Sequence, residues 1–528
     1  MKSLRTDCST GYDQIPAKYI KTVADHLTSP VTHIINSCIT SSSFPDQWKI
    51  SRVCPIPKVT NPTTLADYRP ISILPILSKV FERTILGQML EFIEKRTVYS
   101  PNQAGFRKGH STTTILLKLK SDIKSAMKKG EVTLAVFADF SKAFDTVDYP
   151  TLFKNLHELG FSKSFIELLY SYLYGRKQVV QVNDKYSQFQ YVQFGVPQGS
   201  ILGPILFNLY VTCLSEIGSS NYIQYADDTT IYRTAKPTNL TETAASMQSE
   251  MNQLENWCQE SNLHLNAKKT KLMVFSSTQL SRAHNIDNHQ VVISSSGQPI
   301  ERVTAFKLLG IHFNQRLSWD THINKVIQSC MATLRSLKQF KRSANFPMRK
   351  TLMQSLILTR IDYCSAVFSD ATACAINRLQ KIQRAAASFV LGKYCNDKDI
   401  LQLQWLPVNE RISLSLTQLA YKSLNDFENW QCYLKLKRKE QRHHRLRADN
   451  KKRKGRSSLK TSFIPSIYTI IKSKTTISVR WDSVWKRNTK RGQRKNQDIY
   501  SRLVCIKLSA VRGVHSEVLV IKVRKSGK

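Results

Sequence analysis

Residues 133–138 read Thr-Leu-Ala-Val-Phe-Ala before the chain reaches Asp139. An apolar run this continuous predicts a strand buried on both faces that delivers a carboxylate at its tip. Residues 222–232, Tyr-Ile-Gln-Tyr-Ala-Asp-Asp-Thr-Thr-Ile-Tyr, set β-formers on both sides of a polar centre and predict a hairpin with Asp227 and Asp228 at its turn. Between these segments the apolar period is helical. Leu152, Phe153, Leu156 and Leu159, then Phe165, Ile166, Leu168, Leu169 and Leu173, predict two helices broken at Gly160, and residues 203–216 predict another. An amphipathic helix is expected over 241–261, with Met247, Met251, Leu254 and either Trp257 or Cys258 on its core face. Strands are expected at 179–182, 191–194, 271–275 and 303–313, and helices over 319–430 with a break at Pro407. Pro45, Pro55, Pro57, Pro62, Pro70 and Pro75 punctuate the first hundred residues, which predicts short strands and loops there and a long helix only near 76–96.

A chain of 528 residues exceeds one compact core and implies two to four domains. Its 41% hydrophobic and 22% charged content is that of a folded protein. The charge balance changes the picture: 78 Lys and Arg against 38 Asp and Glu leave a net charge of +40. Such an excess is neutralised by a polyanion, most simply nucleic acid, although ribosome-like and anionic-membrane-binding proteins share the profile. The excess is concentrated, with 29 Lys and Arg against 5 Asp and Glu in residues 431–528. A boundary near 430 follows, and the runs 435–447 and 451–456, which lack any sustained apolar period, are expected to form a flexible basic arm. The eleven cysteines are odd in number and never spaced C-x-x-C, which argues against a disulfide framework or zinc knuckle and for the nucleus or cytoplasm. Neither a signal peptide nor an apolar run long enough to span a membrane is expected.

The chemistry sits in the strand-edge acids. Carboxylates this close are stable together chiefly when divalent cations neutralise them, and two ions ~3.5–4 Å apart suit an in-line phosphoryl transfer. Order along the chain sharpens this. Phe137-Ala-Asp-Phe-Ser-Lys-Ala-Phe-Asp-Thr-Val, Gly195-Val-Pro-Gln-Gly-Ser-Ile-Leu-Gly-Pro, Tyr225-Ala-Asp-Asp, Leu263-His-Leu-Asn-Ala-Lys-Lys-Thr-Lys and Phe306-Lys-Leu-Leu-Gly follow one another. This series resembles motifs A to E of reverse transcriptases. Upstream, residues 48–58, Asp67-Tyr-Arg-Pro-Ile-Ser-Ile-Leu-Pro and Gln103-Ala-Gly-Phe-Arg-Lys-Gly-His-Ser-Thr resemble the finger motifs of non-LTR (LINE-type, Jockey-like) retrotransposons. The resemblance covers residues 9–425.

The resemblance implies an α+β right-hand polymerase: fingers over 1–130, a palm with an antiparallel sheet over 131–315, a helical thumb and connection over 316–430, and the basic tail over 431–528. It implies an RNA template, a DNA primer and dNTPs, with two Mg²⁺ ions, or Mn²⁺ in their place. Asp139 and Asp227 would hold the metals together with the Phe140 carbonyl, and Asp228 would be a less essential third acid. Phe144, five residues beyond Asp139, would be the steric gate against a 2′-hydroxyl. Gln198 and Gly199 would pack against nucleotide and template, Pro197 stiffening their loop. Lys58 and Arg69 would clamp the triphosphate, and Lys269, with Lys268 its rival, would protonate the leaving pyrophosphate. Leu309 and Gly310 would belong to the primer grip, and Arg107, Lys451, Lys452, Arg453 and Lys454 would contact nucleic acid. Elements of this group place an endonuclease ahead of the polymerase; with the resemblance starting near residue 9, that activity is expected from a separate partner. Two rivals remain at this stage. Asp145, six residues past Asp139, suits an RNA-dependent RNA polymerase, against which Phe144 and Tyr225 argue; a truncated, inactive RNA-binding remnant is the other.

Deleting residues 431–528 is expected to weaken nucleic-acid affinity and to flatten the slope of log K against log salt, because that slope follows the number of phosphates neutralised. Catalysis at saturating template should survive. An unchanged slope in a salt titration would show that the tail does not touch nucleic acid.

Overall fold

The computed structural model describes residues 1–425 and three later strands, Thr475–Arg480, Arg502–Ala510 and Val518–Val523. The chain forms two compact units, Met1–His322 and Ile323–Lys528.

The first unit is organised by a five-stranded sheet in the order Glu301–Arg302, Lys271–Phe275, Val132–Ala138, Asp228–Ala235, Asn221–Tyr225. Its pairings are antiparallel except for that of Glu301–Arg302 with Lys271–Phe275. Every residue of the central strand Val132–Ala138 is buried, as its unbroken apolar run predicts. Val132, Leu134 and Val136 enter a core shared with Leu152, Phe207, Met247 and Met251. Phe137 instead stacks on Phe306, with ring centroids 4.4 Å apart. The helices Thr112–Lys128 and Leu240–Glu260 pack against this sheet.

The expected helix pair is present as Tyr149–Glu158 and Lys163–Leu173, started by Asp148 and Ser162, whose side chains accept from backbone N–H groups of Thr151 and Phe165. Gly160 lies between them at φ +82°, a conformation that glycine adopts without strain. The chain then returns to a second sheet. Strand Lys177–Val182 runs parallel to Ile50–Pro57, which pairs antiparallel with Tyr68–Ile73.

Four expectations change in the first unit. Residues Ala24–Thr40 form a 17-residue helix despite Pro30, where loops and short strands were predicted. Val31, Ile35 and Cys38 supply a buried stripe at helical spacing, and that packing outweighs the hydrogen bond that Pro30 cannot make. Residues 303–313 are a hairpin, Ala305–Leu308 and Ile311–Asn314, because Leu309 (φ 45°) and Gly310 (φ 83°) form a left-handed two-residue turn. The helix from Gly203 ends at Tyr210, and Thr212–Glu216 follows as a tighter 3₁₀ segment. Of residues 191–194 only Tyr191 belongs to a strand, Gln190–Tyr191.

The second unit contains the helices Phe346–Met353, Ala373–Leu391, Asp397–Gln402 and Val408–Asn425, the last beginning directly after Pro407. Beyond 430 the sequence suggested only a basic arm, yet Thr475–Arg480, Arg502–Ala510 and Val518–Val523 form a three-stranded antiparallel sheet. The runs 435–447 and 451–456, with Lys451, Lys452, Arg453 and Lys454, lie outside the described residues. No helix among the described residues is long and apolar enough to cross a membrane.

Lys120, on the helix Thr112–Lys128, is one of the charged groups buried against the first sheet. Lys120 is 2% exposed, its ammonium 5.4 Å from the centre of the Trp319 ring, and burial pushes its pKa down to about 7. Between that value and the ordinary lysine range the unfolded chain binds the extra proton, so stability rises with pH across the interval. Lys120→Met should therefore raise Tm over wild type most at pH 7 and below, with the gain fading toward pH ~10. A gain independent of pH in thermal melts would show that Lys120 is not held against its charge.

Candidate active site

The acids are placed by strand register. Tyr225 pairs with Asp228 across the hairpin, so Ala226 and Asp227 are its two turn residues, and Ala226 is held at φ 57°. Ala138 pairs with Thr229, which brings Asp139, one residue past the central strand, beside the hairpin turn. The backbone around Asp139 is also pinned: its carbonyl accepts from Asn266 N–H at 2.8 Å, and its N–H faces Thr270 Oγ1 at 3.3 Å.

The segment 102–107, of which the sequence reading gave a site role to Arg107 alone, braces the turn. Gln224 N–H donates to the Asn102 carbonyl and Ala104 N–H to the Gln224 carbonyl, both at 2.9 Å. Gln103, 1% exposed, donates from Nε2 to the Asn208 carbonyl, and Asn208 Nδ2 donates to the Gly105 carbonyl. Gly105 is so close that a Cβ there would lie 2.3 Å from Ala226 N. The Gln-Ala-Gly string was the only hint in the sequence, since none of its partners is local. Arg107 belongs to the same brace: it donates to the Ser100 and Gln103 carbonyls and lies over the Tyr99 ring, and it does not line the cleft.

A cleft of about 940 Å³ opens in front of the turn. Lys58, Arg69, Asp139, Phe140, Phe144, Gln198, Asp227 and Lys269 all line it, although they come from five separate stretches of chain. Asp228 faces a smaller cavity of about 310 Å³ shared with Asp139, Lys268, Lys269, Phe306 and Leu308. Lys269 therefore borders both spaces and lies 3.8 Å from Asp139 Oδ1, whereas Lys268 borders only the smaller. Leu309 and Gly310 form the tip of the hairpin that supplies Phe306 and Leu308.

Phe144 is half-buried and held as a wall, stacked on Phe207 at 4.4 Å and met edge-on by Phe106. Gln198 Nε2 donates to Asp145 Oδ1 at 2.7 Å, and its carbonyl accepts from Ser72 N–H. Gly199 sits at φ +124°, where a Cβ would approach the Ser72 carbonyl to 2.5 Å, so close backbone contact requires glycine there. The exposed Lys58 ammonium donates to the Ala66 carbonyl.

The carboxylates disfavour their own charge. Asp227 and Asp228 are accessible to solvent yet walled, one by the cleft and the other by the smaller cavity, and partial burial raises both pKa values. Asp228 is pushed up to about 6 by burial first, then by repulsion from Asp227 and Asp139. Asp139 is raised by burial and by Asp227, with Lys269 opposing. Arg69 and Lys269 oppose the shift of Asp227. Asp139 Oδ1 is buried with no hydrogen-bond donor. Such a set fits a divalent cation, which would relieve the repulsion and satisfy the orphaned oxygen. Among the described residues no three His, Cys, Asp or Glu side chains form a preformed cage, and Mg²⁺ ordinarily completes its shell with water and substrate phosphates rather than with protein alone.

Residues 56–313 match the family model described as reverse transcriptase (RNA-dependent DNA polymerase). The chain thus carries a reverse-transcriptase domain. That domain is of the α+β class, with its helices packed against a largely antiparallel sheet. The chain is 28% identical to the probable RNA-directed DNA polymerase from transposon BS of Drosophila melanogaster, over 73% of this chain and 43% of that protein. It is 26% identical to the RNA-directed DNA polymerase from mobile element jockey of the same species, over 74% of this chain and 43% of that protein. The chain spans less than half the length of these curated relatives. A solved telomerase from Candida tropicalis shows a fainter likeness, at 14% identity and a TM-score of 0.37 over 52% of this chain and 55% of that one.

Gly105→Ala tests the brace. The added methyl must displace the Ala226–Asp227 turn, and a displacement near 1 Å costs on the order of 10²-fold in rate when it misaligns reacting groups. Polymerisation should fall by that order while circular dichroism stays native. Activity within twofold of wild type would show that the turn tolerates movement.

Proposed function

We propose that this chain is an RNA-directed DNA polymerase of a mobile element, extending a DNA primer on an RNA template with dNTPs. The observation that carries this reading is the single cleft in which Asp139 and Asp227 face Lys58, Arg69, Lys269, Phe144 and Gln198. In this reading residues 1–130 act as fingers, 131–315 as palm, 316–430 as thumb and 431–528 as a basic nucleic-acid arm. The compartment is the nucleus or the cytoplasm.

Asp139 and Asp227, with the Phe140 carbonyl, would hold two divalent cations, Mg²⁺ or Mn²⁺, and Asp228 would add charge from the neighbouring cavity. When bound, such ions supply Lewis-acid stabilisation of the attacking 3′-hydroxyl and the leaving pyrophosphate. The chain's own cations do the rest. Lys58 and Arg69 neutralise the triphosphate at the outer wall, where charge builds as the α–β bond breaks. Lys269 Nζ, beside Asp139, is placed to donate a proton to a pyrophosphate oxygen. Phe144, clamped by Phe207 and Phe106, is the stiff surface beneath the sugar that leaves room for hydrogen and not for a hydroxyl. Gln198 and Gly199 form the opposing surface for base and template, and Leu309 and Gly310 hold the primer end. Arg107 serves nucleic-acid binding through the brace it stabilises, and Lys451, Lys452, Arg453 and Lys454 through direct phosphate contact.

Asp145 also lines the cleft, which gives the RNA-polymerase alternative its one structural support. Primer extension on poly(rA)/oligo(dT) with Mg²⁺ separates the readings. Wild type should incorporate dTTP, and Asp139→Asn or Asp227→Asn should abolish extension while template binding persists. Phe144→Val should lower the dNTP over NTP ratio of kcat/KM by orders of magnitude, since each tenfold corresponds to about 1.4 kcal/mol of differential transition-state binding. A wild type that prefers NTPs, or a Phe144→Val ratio within twofold of wild type, would overturn the assignment.

A further inference from the structure

The loop bearing Gln198 and Gly199 leads into the helix Gly203–Tyr210, whose N-cap residue Leu202 has no side-chain oxygen to accept the first backbone N–H groups. The helix's own first N–H, from Gly203, donates to Ser200 Oγ at 2.9 Å, and the two N–H groups just before it find their acceptor 119 and 120 residues earlier in the chain. Glu82 Oε2 accepts from Ile201 N–H at 2.7 Å and from Leu202 N–H at 3.2 Å, while Oε1 accepts from Ser78 Oγ at 3.0 Å. Glu82 is fully buried. Burial disfavours its charge, and Arg176, itself 1% exposed, is the largest opposing influence, ahead of the two N–H groups. Arg176 is fixed in turn, donating to the Tyr172 carbonyl and lying over the Tyr172 ring.

We infer that Glu82 is a positioning residue for the nucleotide-side loop, a buried carboxylate that sets where Gln198 stands relative to the cleft. The inference rests on the nucleotide-binding reading of Gln198 and Gly199. Glu82 lies on the helix Ile76–Arg96, which follows the strand Tyr68–Ile73 that carries Arg69. Ser72 N–H already ties that strand to the Gln198 carbonyl, so Glu82 makes a second link between the same two segments. The loop's other end is tied to the Phe144 segment through Gly195 N–H and Val196 N–H, which donate to the Val147 and Phe144 carbonyls. With both ends held, the Gln198 amide reaches Asp145 Oδ1. Loss of the carboxylate would orphan the buried Leu202 N–H and the part-buried Ile201 N–H, strand the Arg176 charge, and free one end of the loop.

The test compares Glu82→Gln, Glu82→Met and the double variant Glu82→Met with Arg176→Met, which removes both buried charges. Hydrogen exchange is followed in residues 195–203 and in the central strand 132–138, and KM for dNTP is measured beside kcat and template–primer Kd. Glu82→Met and the double variant should accelerate exchange in 195–203 at least tenfold more than in 132–138. They should raise KM for dNTP about tenfold while Kd for template–primer moves less than twofold. Glu82→Gln, whose amide oxygen can still accept from Ile201 and whose NH₂ can turn to Ser78, should recover most of both losses. Equal acceleration in the two segments, or a KM within twofold of wild type in every variant, overturns the inference and leaves Glu82 a general stabiliser. Should both methionine variants fail to fold, Glu82→Asp decides, because its shorter carboxylate keeps the charge beside Arg176 but withdraws from Ile201 and Leu202: faster exchange in 195–203 with a severalfold rise in KM supports the inference, and the absence of either overturns it. A wild type that extends no primer would instead refute the polymerase reading, and the exchange comparison would still decide whether Glu82 holds the loop.

Discussion

Three carboxylates gathered at one end of a sheet repel one another, and the first unit is built to hold them together regardless. The strand that presents Asp139 is buried along its whole length, so its tip cannot retreat. The hairpin that presents Asp227 and Asp228 is closed by a two-residue turn with Ala226 in the left-handed region, which fixes the direction of both acids. The cost appears in their raised pKa values, driven first by burial and then, for Asp228, by the neighbouring acids. A site that disfavours its own charge is poised for cations, whether from Lys269 and Arg69 or from metal ions arriving with a triphosphate.

The supports around this site are polar and buried rather than apolar. Gln103 and Asn208 exchange hydrogen bonds with distant backbone to keep Gly105 against the acid turn. Glu82 caps the approach to Gly203–Tyr210 and thereby steadies the loop on the facing side. Such groups have defined hydrogen-bond geometry, so they specify position where an apolar contact would specify only proximity. The aromatic wall of Phe144, Phe207 and Phe106 adds stiffness in the third direction. Acids, cations and wall thus occupy a common cleft because separate elements are locked one against another.

Much of this is legible in the sequence. The strand ending at Asp139, the hairpin around Asp227, the helix pair broken at Gly160 and the long helix 240–260 follow from apolar period and turn chemistry, which are local properties. The helix across Pro30 escaped because packing of Val31, Ile35 and Cys38 overrode a local breaker. The turn at Leu309–Gly310 escaped because an apolar run conceals a hairpin when its turn residues are not polar. The strands beyond residue 474 escaped because a surplus of basic residues masked short β-rich segments.

The sequence by itself determined the elements, the order of the motifs and the identity of the acids, since each depends on residues near one another in the chain. Only the tertiary structure decided that Asp227 faces the large cleft while Asp228 faces the small cavity, and that Lys269 rather than Lys268 borders both. It alone showed that Arg107 is turned to backbone carbonyls and that Gln103, Gly105 and Glu82 hold the site from a distance. The reason is physical. A hydrogen bond between residues separated by more than a hundred positions leaves no periodicity in the sequence, because its partners are brought together by the packing of the whole unit.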